Sequence, residues 1–359
     1  MHCRRGVCVH MRFFDYSFLK NNPIPANTVN LLTTVEKLTI DRKKMVDSYP
    51  KLFEELTKIA IVQSIISSNA IEGIITTDDR IKGLLNGTVS PMNHNENEIL
   101  GYKEVINLIH IHYQDYSFSE ELVLFFHQLL LSYERPSYAG KYKTNDNVIM
   151  EISANGMRTV RFRPTPAKET KTAMEQMILA YMDARDDAGM NQLLLIPCVI
   201  MDFLSIHPFS DGNGRMSRLL SLFLLYKNGF DIGKYISFEN QINHHKSEYY
   251  QSLKMSSKDW EVGKNDYFPF INHFLMTLIR CYNELDKRVN ILSSRELSKK
   301  DRIKVTIIKS LVPISRKEIL DLWPDIAIDT VKKVLIDLQN EGVIKKIGNF
   351  KNAKYIAIK

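Results

Sequence analysis

The sequence lacks any apolar run approaching the ~18 residues of a membrane-spanning helix, so no membrane is expected among its partners. It also lacks the apolar core of a signal peptide. Its first residues, MHCRRGVCVHMRFF, are basic instead, and are read as upstream read-through with Met11 as the expected start. Cysteine is scarce: Cys3, Cys8, Cys198 and Cys281 form no pair at metal-ligand spacing. Cys198 and Cys281 sit in apolar helical contexts and read as buried thiols, which fits a reducing cytoplasm. His110, His112 and His127 have no carboxylate or cysteine at ligand spacing, so they read as packing or surface groups. Apolar residues make up 44% and charged residues 25% of 359, the balance of an ordinary soluble chain of two or three domains. The net charge is +7, and most of it lies from Lys300 onward, where thirteen Lys and Arg face seven Asp and Glu.

What is present is concentrated between Ser205 and Arg218, SIHPFSDGNGRMSR, immediately before the apolar run Leu219, Leu220, Leu222, Phe223, Leu224, Leu225. A polar loop entering a buried helix presents unpaired N–H groups and the positive end of the helix dipole. Gly212 and Gly214 allow a nest of amides, and Arg215 and Arg218 share one helix face. Two arginines at a helix start are unfavourable unless an anion lies between them, so the stretch reads as a phosphate cradle. Asp211 is a hard oxygen ligand of the kind Mg²⁺ takes beside phosphates. A neutral His207 could accept a proton from an incoming hydroxyl.

HPFSDGNGR, with Arg218 following, resembles the Fic family motif over its full length. The resemblance implies a mainly α fold: a Fic helical bundle with a β-hairpin flap, accompanied by a small α+β winged-helix domain. It implies transfer of AMP from ATP to a Ser, Thr or Tyr hydroxyl of a target protein, with Mg²⁺, or Mn²⁺ in its place. In that reading His207 is the general base and Asp211 the metal ligand. Gly212, Asn213 and Gly214 hold phosphates, Arg215 meets the β-phosphate and Arg218 the γ-phosphate. Gly214 sets the chain apart from the kinase-like branch, which carries lysine there.

Other segments extend the resemblance. A helix over 51–71 ends in SSNAIEG, with Gly73 as its stop. Glu72, disfavoured at a helix C-terminus, calls for a cation. Ser68 to Gly73 is similar to the family's inhibitory motif, which implies that Glu72 pairs with Arg218 and withholds it from ATP. VIMEI and TVRFR are β-type runs around Asn155-Gly156, a hairpin signal. They match the flap, 145–163, where a target strand docks by edge pairing. The stretch before it, Ala139-Gly140-Lys141-Tyr142-Lys143, carries lysine where the family has arginine. Tyr249 and Tyr250, with Leu253, match a motif that lines the adenine pocket, although two helical tyrosines also suit a core.

The chain is expected to divide into an N-terminal helical segment with the inhibitory helix (1–90), a catalytic domain (91–292), a polar linker (293–302) and a winged helix (303–359). In the last, Ser315 and Glu318 form a capping box, Asp329 caps the third helix, and a hairpin follows. Its lysines, Lys332, Lys333, Lys345, Lys346, Lys351 and Lys354, could face DNA phosphates. Protein docking or a homodimer is the other reading. Rivals to adenylyl transfer are a DNA-binding regulator with a sensor core, another Fic phosphotransfer, and removal of AMP from a target.

Overall fold

The computed structural model describes residues 12–48, 50–152, 158–293, 298–310, 313–323, 326–348 and 353–358. Met11, the Asn155-Gly156 turn, residues 294–297 of the expected linker and Lys351 lie outside these; the rest of that linker is helical or caps a helix, with Ser293 ending one helix and Ser298 capping the next, Lys299–Lys309. The fold is mainly α, in two units. The first draws on Met1–Lys37, Ser64–Asp231 and Phe238–Ile279; the second on Leu38–Gln63, Ile232–Ser237 and Arg280–Lys359.

In chain order the helices are α1 (Phe18–Asn21), α2 (Ala26–Ser48), α3 (Pro50–Ile71), α4 (Asp78–Leu85), α5 (His94–His112) and α6 (Glu120–Leu130). The hairpin β1 (Ile149–Ile152) and β2 (Arg158–Phe162) comes next, followed by α7 (Ala167–Asp186), α8 (Gln192–Ile206), α9 (Asn213–Lys227), α10 (Phe238–His244), α11 (Lys246–Ser256) and α12 (Phe268–Ser293). Helix α8 is apolar on every side, and a helix of that kind must be enclosed. Among its residues only Gln192 and Leu204 escape full burial. It packs against α7 and α9, while α5 packs on α6 and α9. The loop carrying the phosphate-cradle motif therefore joins the two most enclosed helices of the first unit.

One buried carboxylate fastens this core to the N-terminal segment. Asp202, one turn before the end of α8, accepts from Tyr16 Oη at 2.8 Å, Trp260 Nε1 at 2.6 Å and Tyr267 Oη at 2.7 Å. The Arg12 guanidinium lies 3.6 Å away. Burial nevertheless raises the Asp202 carboxyl above its ordinary range, Arg12 and the three donors opposing the shift. Phe14 and Tyr16 are buried, and Phe18 stacks on Tyr267. Phe13 does not dock; it is exposed, because alternate residues of an extended segment face away.

The hairpin is antiparallel, with Met150 opposite Val160 and an irregularity between Ile149 and Met150. Phe162 is buried against Trp260, whereas Val148, Met150 and Val160 remain exposed.

The second unit contains α13 (Lys299–Lys309), β3 (Ile314–Ser315), α14 (Arg316–Leu322), α15 (Ile328–Asn340), β4 (Ile344–Ile347) and β5 (Lys354–Ala357). The strands form an antiparallel sheet in the order β3-β5-β4. Ile303, Ile307, Ile319, Trp323, Leu335 and Leu338 form its core. The Ser315–Glu318 capping box is formed. Asp329 is not the cap of α15: the N-cap is Ala327, without a side-chain bond, and Asp329 sits in the first turn paired with Lys332. Local pattern located the helix start to within two residues, as far as composition alone resolves such ends. Lys332, Lys333, Lys345, Lys346 and Lys354 are all exposed.

Helices α5 and α6 approach so closely at Gly101 that a Cβ there would overlap the Leu130 carbonyl. Alanine normally favours a helix over glycine by about 1 kcal/mol. Here overpacking against rigid backbone, costing about 1–3 kcal/mol or more, outweighs it. Gly101→Ala should therefore lower the thermal unfolding midpoint; a raised midpoint would contradict the packing described.

Candidate active site

Helix α8 ends on His207, whose amide donates to the Phe203 carbonyl at 2.9 Å. Its backbone adopts the left-handed conformation, φ 51° and ψ 62°, at a cost of about 1–2 kcal/mol for a residue with a Cβ. The loop holds that geometry through its own hydrogen bonds. Asn213 brackets Phe209, accepting from its N–H at 2.9 Å and donating to its carbonyl at 2.7 Å. Its side-chain amide is thus spent on the loop, and its main-chain N–H is what it can offer an anion. Gly212, at φ 79°, forms the N-cap of α9, a position that favours glycine.

Two groups behind the loop have contacts that sequence pattern did not show. Lys143 donates its backbone N–H to Pro208 O at 2.9 Å, and its ammonium to Ile206 O at 3.1 Å and Asn147 Oδ1 at 2.8 Å. Asn147 in turn donates to Phe209 O at 3.2 Å. This clamp ties the chain leading into the hairpin to both sides of His207. Burial lowers the Lys143 ammonium to about 8. The second group is His127, read from sequence as a packing or surface residue. It is fully buried, stacks on Phe209, accepts from the Gly140 N–H at 3.0 Å and contacts the Asp211 carbonyl through Nε2 at 3.2 Å. Accepting at Nδ1 places its proton on Nε2, which donates to Asp211. The apolar neighbours that made it look like core also hide a tautomer-locked brace for the loop. Burial pushes His127 down to about 4.

His207 is likewise pushed down to about 4, first by burial and then by the adjacent Lys143 charge. Its Nδ1 lies 3.3 Å from the Leu204 carbonyl, so the proton resides there and Nε2 keeps a free lone pair. A base in this state is ready to accept a proton at neutral pH.

The cationic side of the site is fully enclosed. Arg215 and Arg218 are both almost completely buried. Arg215 pairs with Glu98 at 2.6 Å and Asp211 at 3.1 Å, while its Nε and Nη1 are buried without a partner. Glu98, on α5, was missed from sequence because no local pattern marks it. Burial raises its carboxyl although Arg215 opposes that shift. Arg218 pairs with Glu72 at 2.8 Å, and also donates to Ser68 Oγ at 2.8 Å and Ser68 O at 2.9 Å. Burial works against the Arg218 charge, but Glu72 with Tyr249 and Tyr102 more than offsets it. A Cβ on Gly214 would overlap Glu72 Oε1, so the carboxylate occupies the space above the first turn of α9.

Gly73, at φ 81°, ends α3. The last carbonyl of that helix, Ile71 O, accepts from Lys246 at 2.6 Å and lies 3.5 Å from Tyr250 Oη. Tyr249 is buried beside Tyr250, Phe270 and His273. Tyr250 is partly exposed and is therefore the tyrosine available at the mouth of the site. Asp211 is about half exposed. Among the described residues no group of three or more His, Cys, Asp or Glu is gathered around a metal position. A single carboxylate suits a cation that takes its other ligands from phosphate and water.

Comparison with known proteins agrees with this geometry. Residues 117–225 match the family model described as Fic/DOC family. The chain is 30% identical over 133 residues to a Fido domain-containing protein of Dictyostelium discoideum, covering 37% of this chain and 83% of that protein. It is 26% identical over 205 residues to the protein adenylyltransferase Fic of Nematostella vectensis, covering 52% of this chain but only 44% of that one. A Fic family protein structure from Desulfovibrio desulfuricans G20 shares the fold with a TM-score of 0.59 at 18% identity, over 94% of this chain and 97% of that one. A Fic domain containing signaling protein from Bacteroides thetaiotaomicron superposes with a TM-score of 0.56 at 20% identity, over 72% and 94% respectively.

The surroundings of His207 make its protonation state measurable. By nuclear magnetic resonance titration its imidazole should stay neutral until the pH falls to about 4, and titration near the ordinary 6.5 would contradict its enclosure.

Proposed function

The chain belongs to the Fic/DOC family, and on that premise we propose that it is a protein adenylyltransferase, transferring AMP from ATP to a target hydroxyl and restrained by Glu72. The observation that carries this reading is the position of the Glu72 carboxylate. It pairs with the buried Arg218 and fills the anion space over Gly214, so the site is built for a more highly charged anion than the one it holds. The unpartnered Nε and Nη1 of Arg215 are further donors in search of acceptors.

The reaction follows from the groups present. A target hydroxyl, presented beside the hairpin, gives its proton to His207 Nε2 as its oxygen bonds to the α-phosphorus of ATP. The bond from that phosphorus to the bridging oxygen breaks, and pyrophosphate leaves. Arg215 and the amides at the start of α9 stabilise the charge spread over the phosphates. Mg²⁺ held by Asp211, or Mn²⁺ in its place, would neutralise phosphate charge when bound. Arg218 is the last donor needed, and it becomes available to the γ-phosphate only when Glu72 lets go.

This arrangement sets opposite expectations for two variants. Glu72→Gly should raise incorporation of labelled AMP by about tenfold or more, as expected for a site held closed by roughly 1.4 kcal/mol or more. His207→Ala in the same background should reduce labelling by about 100-fold or more. Equal labelling by wild type and both variants would overturn the proposal.

A further inference from the structure

A sizeable cavity lies away from the phosphate cradle. It encloses about 590 Å³ beside β2 and falls within the size range of ligand sites. Four consecutive residues, Val160, Arg161, Phe162 and Arg163, line it. Successive strand residues point to opposite faces, so a cavity that meets all four runs along the strand's edge. That edge is free: β2 pairs only with β1 among the described residues. The opposite wall is formed by Trp260 and its neighbours and by Arg12.

Two guanidinium groups in this groove have unmet hydrogen-bonding capacity. Arg12 is more than nine-tenths buried; its two Nη atoms donate to Trp260 O and Tyr267 Oη, and its Nε has no partner. The Nε of Arg161 is also buried without a partner. Glu169, Asp259 and Glu261 reach the same cavity, yet both Nε donors remain without an acceptor. Buried donors of this kind are costly unless something supplies an acceptor. The Arg161 charge also acts, weakly, on the Tyr250 phenol.

We propose that this groove is an acidic-residue subsite for the target: an extended segment pairs along the free edge of β2 and places a carboxylate side chain on Arg161 and Arg12. The inference deepens the transferase reading by naming its substrate class, a hydroxyl-bearing segment with an aspartate or glutamate near the acceptor. Edge pairing supplies sequence-independent affinity, and the charged side chain supplies register and selectivity. The two exposed apolar residues Met150 and Val160, directly opposite on the hairpin, offer a surface for other side chains of the same segment.

The test uses the full chain and fluorescein-labelled serine peptides of strand-forming composition, each with one Asp moved stepwise along the sequence, beside the matching Asn series. Binding is read by fluorescence anisotropy at low salt. At one position the Asp peptide should bind about tenfold more tightly than its Asn counterpart, the effect of one charge-assisted hydrogen bond. Arg161→Gln should erase that ratio while leaving the Asn peptide's affinity unchanged, and Arg161→Lys should restore part of it. Asp and Asn binding equally at every position, or the preference surviving in Arg161→Gln, would overturn the proposal. Binding requires no AMP transfer, so the two readings separate. A preference for Asp in a protein that labels nothing supports the groove and defeats the transferase. Labelling of Asp and Asn peptides at equal rates leaves the transferase and removes the groove.

Discussion

Two buried guanidinium groups at the start of one helix are the constraint to which the rest of the site answers. Arg215 and Arg218 add positive charge where the α9 dipole is already positive, away from water. Each must be matched by a carboxylate brought from elsewhere. Arg215 is matched by Glu98, itself buried and held on α5. Arg218 is matched by Glu72, one-third exposed at the very end of α3. The two partners differ in their access to water: Glu98 is enclosed, whereas Glu72 is not.

The loop that carries His207 shows a different trade. His207 sits in a conformation that costs energy and is stripped of most of its water. Asn213, Lys143, Asn147 and His127 hold the surrounding backbone, each by more than one hydrogen bond or by a hydrogen bond and a ring stack. Strain at a reactive group persists only when its surroundings over-determine it, and four side chains serve that end here. The same burial that keeps His207 neutral also lowers Lys143, so enclosure acts on both groups together.

Much of this was legible in residue order. The enclosed helices α8 and α9 follow from their apolar runs, the hairpin from alternating β-type residues, and the capping box from Ser315 and Glu318. The Glu72–Arg218 pair followed from family resemblance together with the unfavourable place of an acid at a helix end. His127 was hidden because a histidine among leucines and phenylalanines has the pattern of core, whatever its two nitrogens touch. Glu98, Asp202 and Arg12 gave no signal, since each meets its partner across a long stretch of chain. Asp329 was misplaced as a cap because a first-turn acid and an N-cap acid differ by only two positions.

Residue order by itself determined the local chemistry: a glycine-bracketed loop, a histidine and an acid within it, two arginines on one helical face, and helices whose apolar periodicity demands enclosure. Those properties depend on neighbours within a few positions, which is the range over which backbone geometry propagates. Tertiary structure alone decided which carboxylate neutralises which arginine, which nitrogen of His207 stays bare, and which donors beside β2 were left without acceptors. Burial and partnership are set by groups far apart in the chain, 150 residues in the case of Ser68 and Arg218, and no local pattern carries that information.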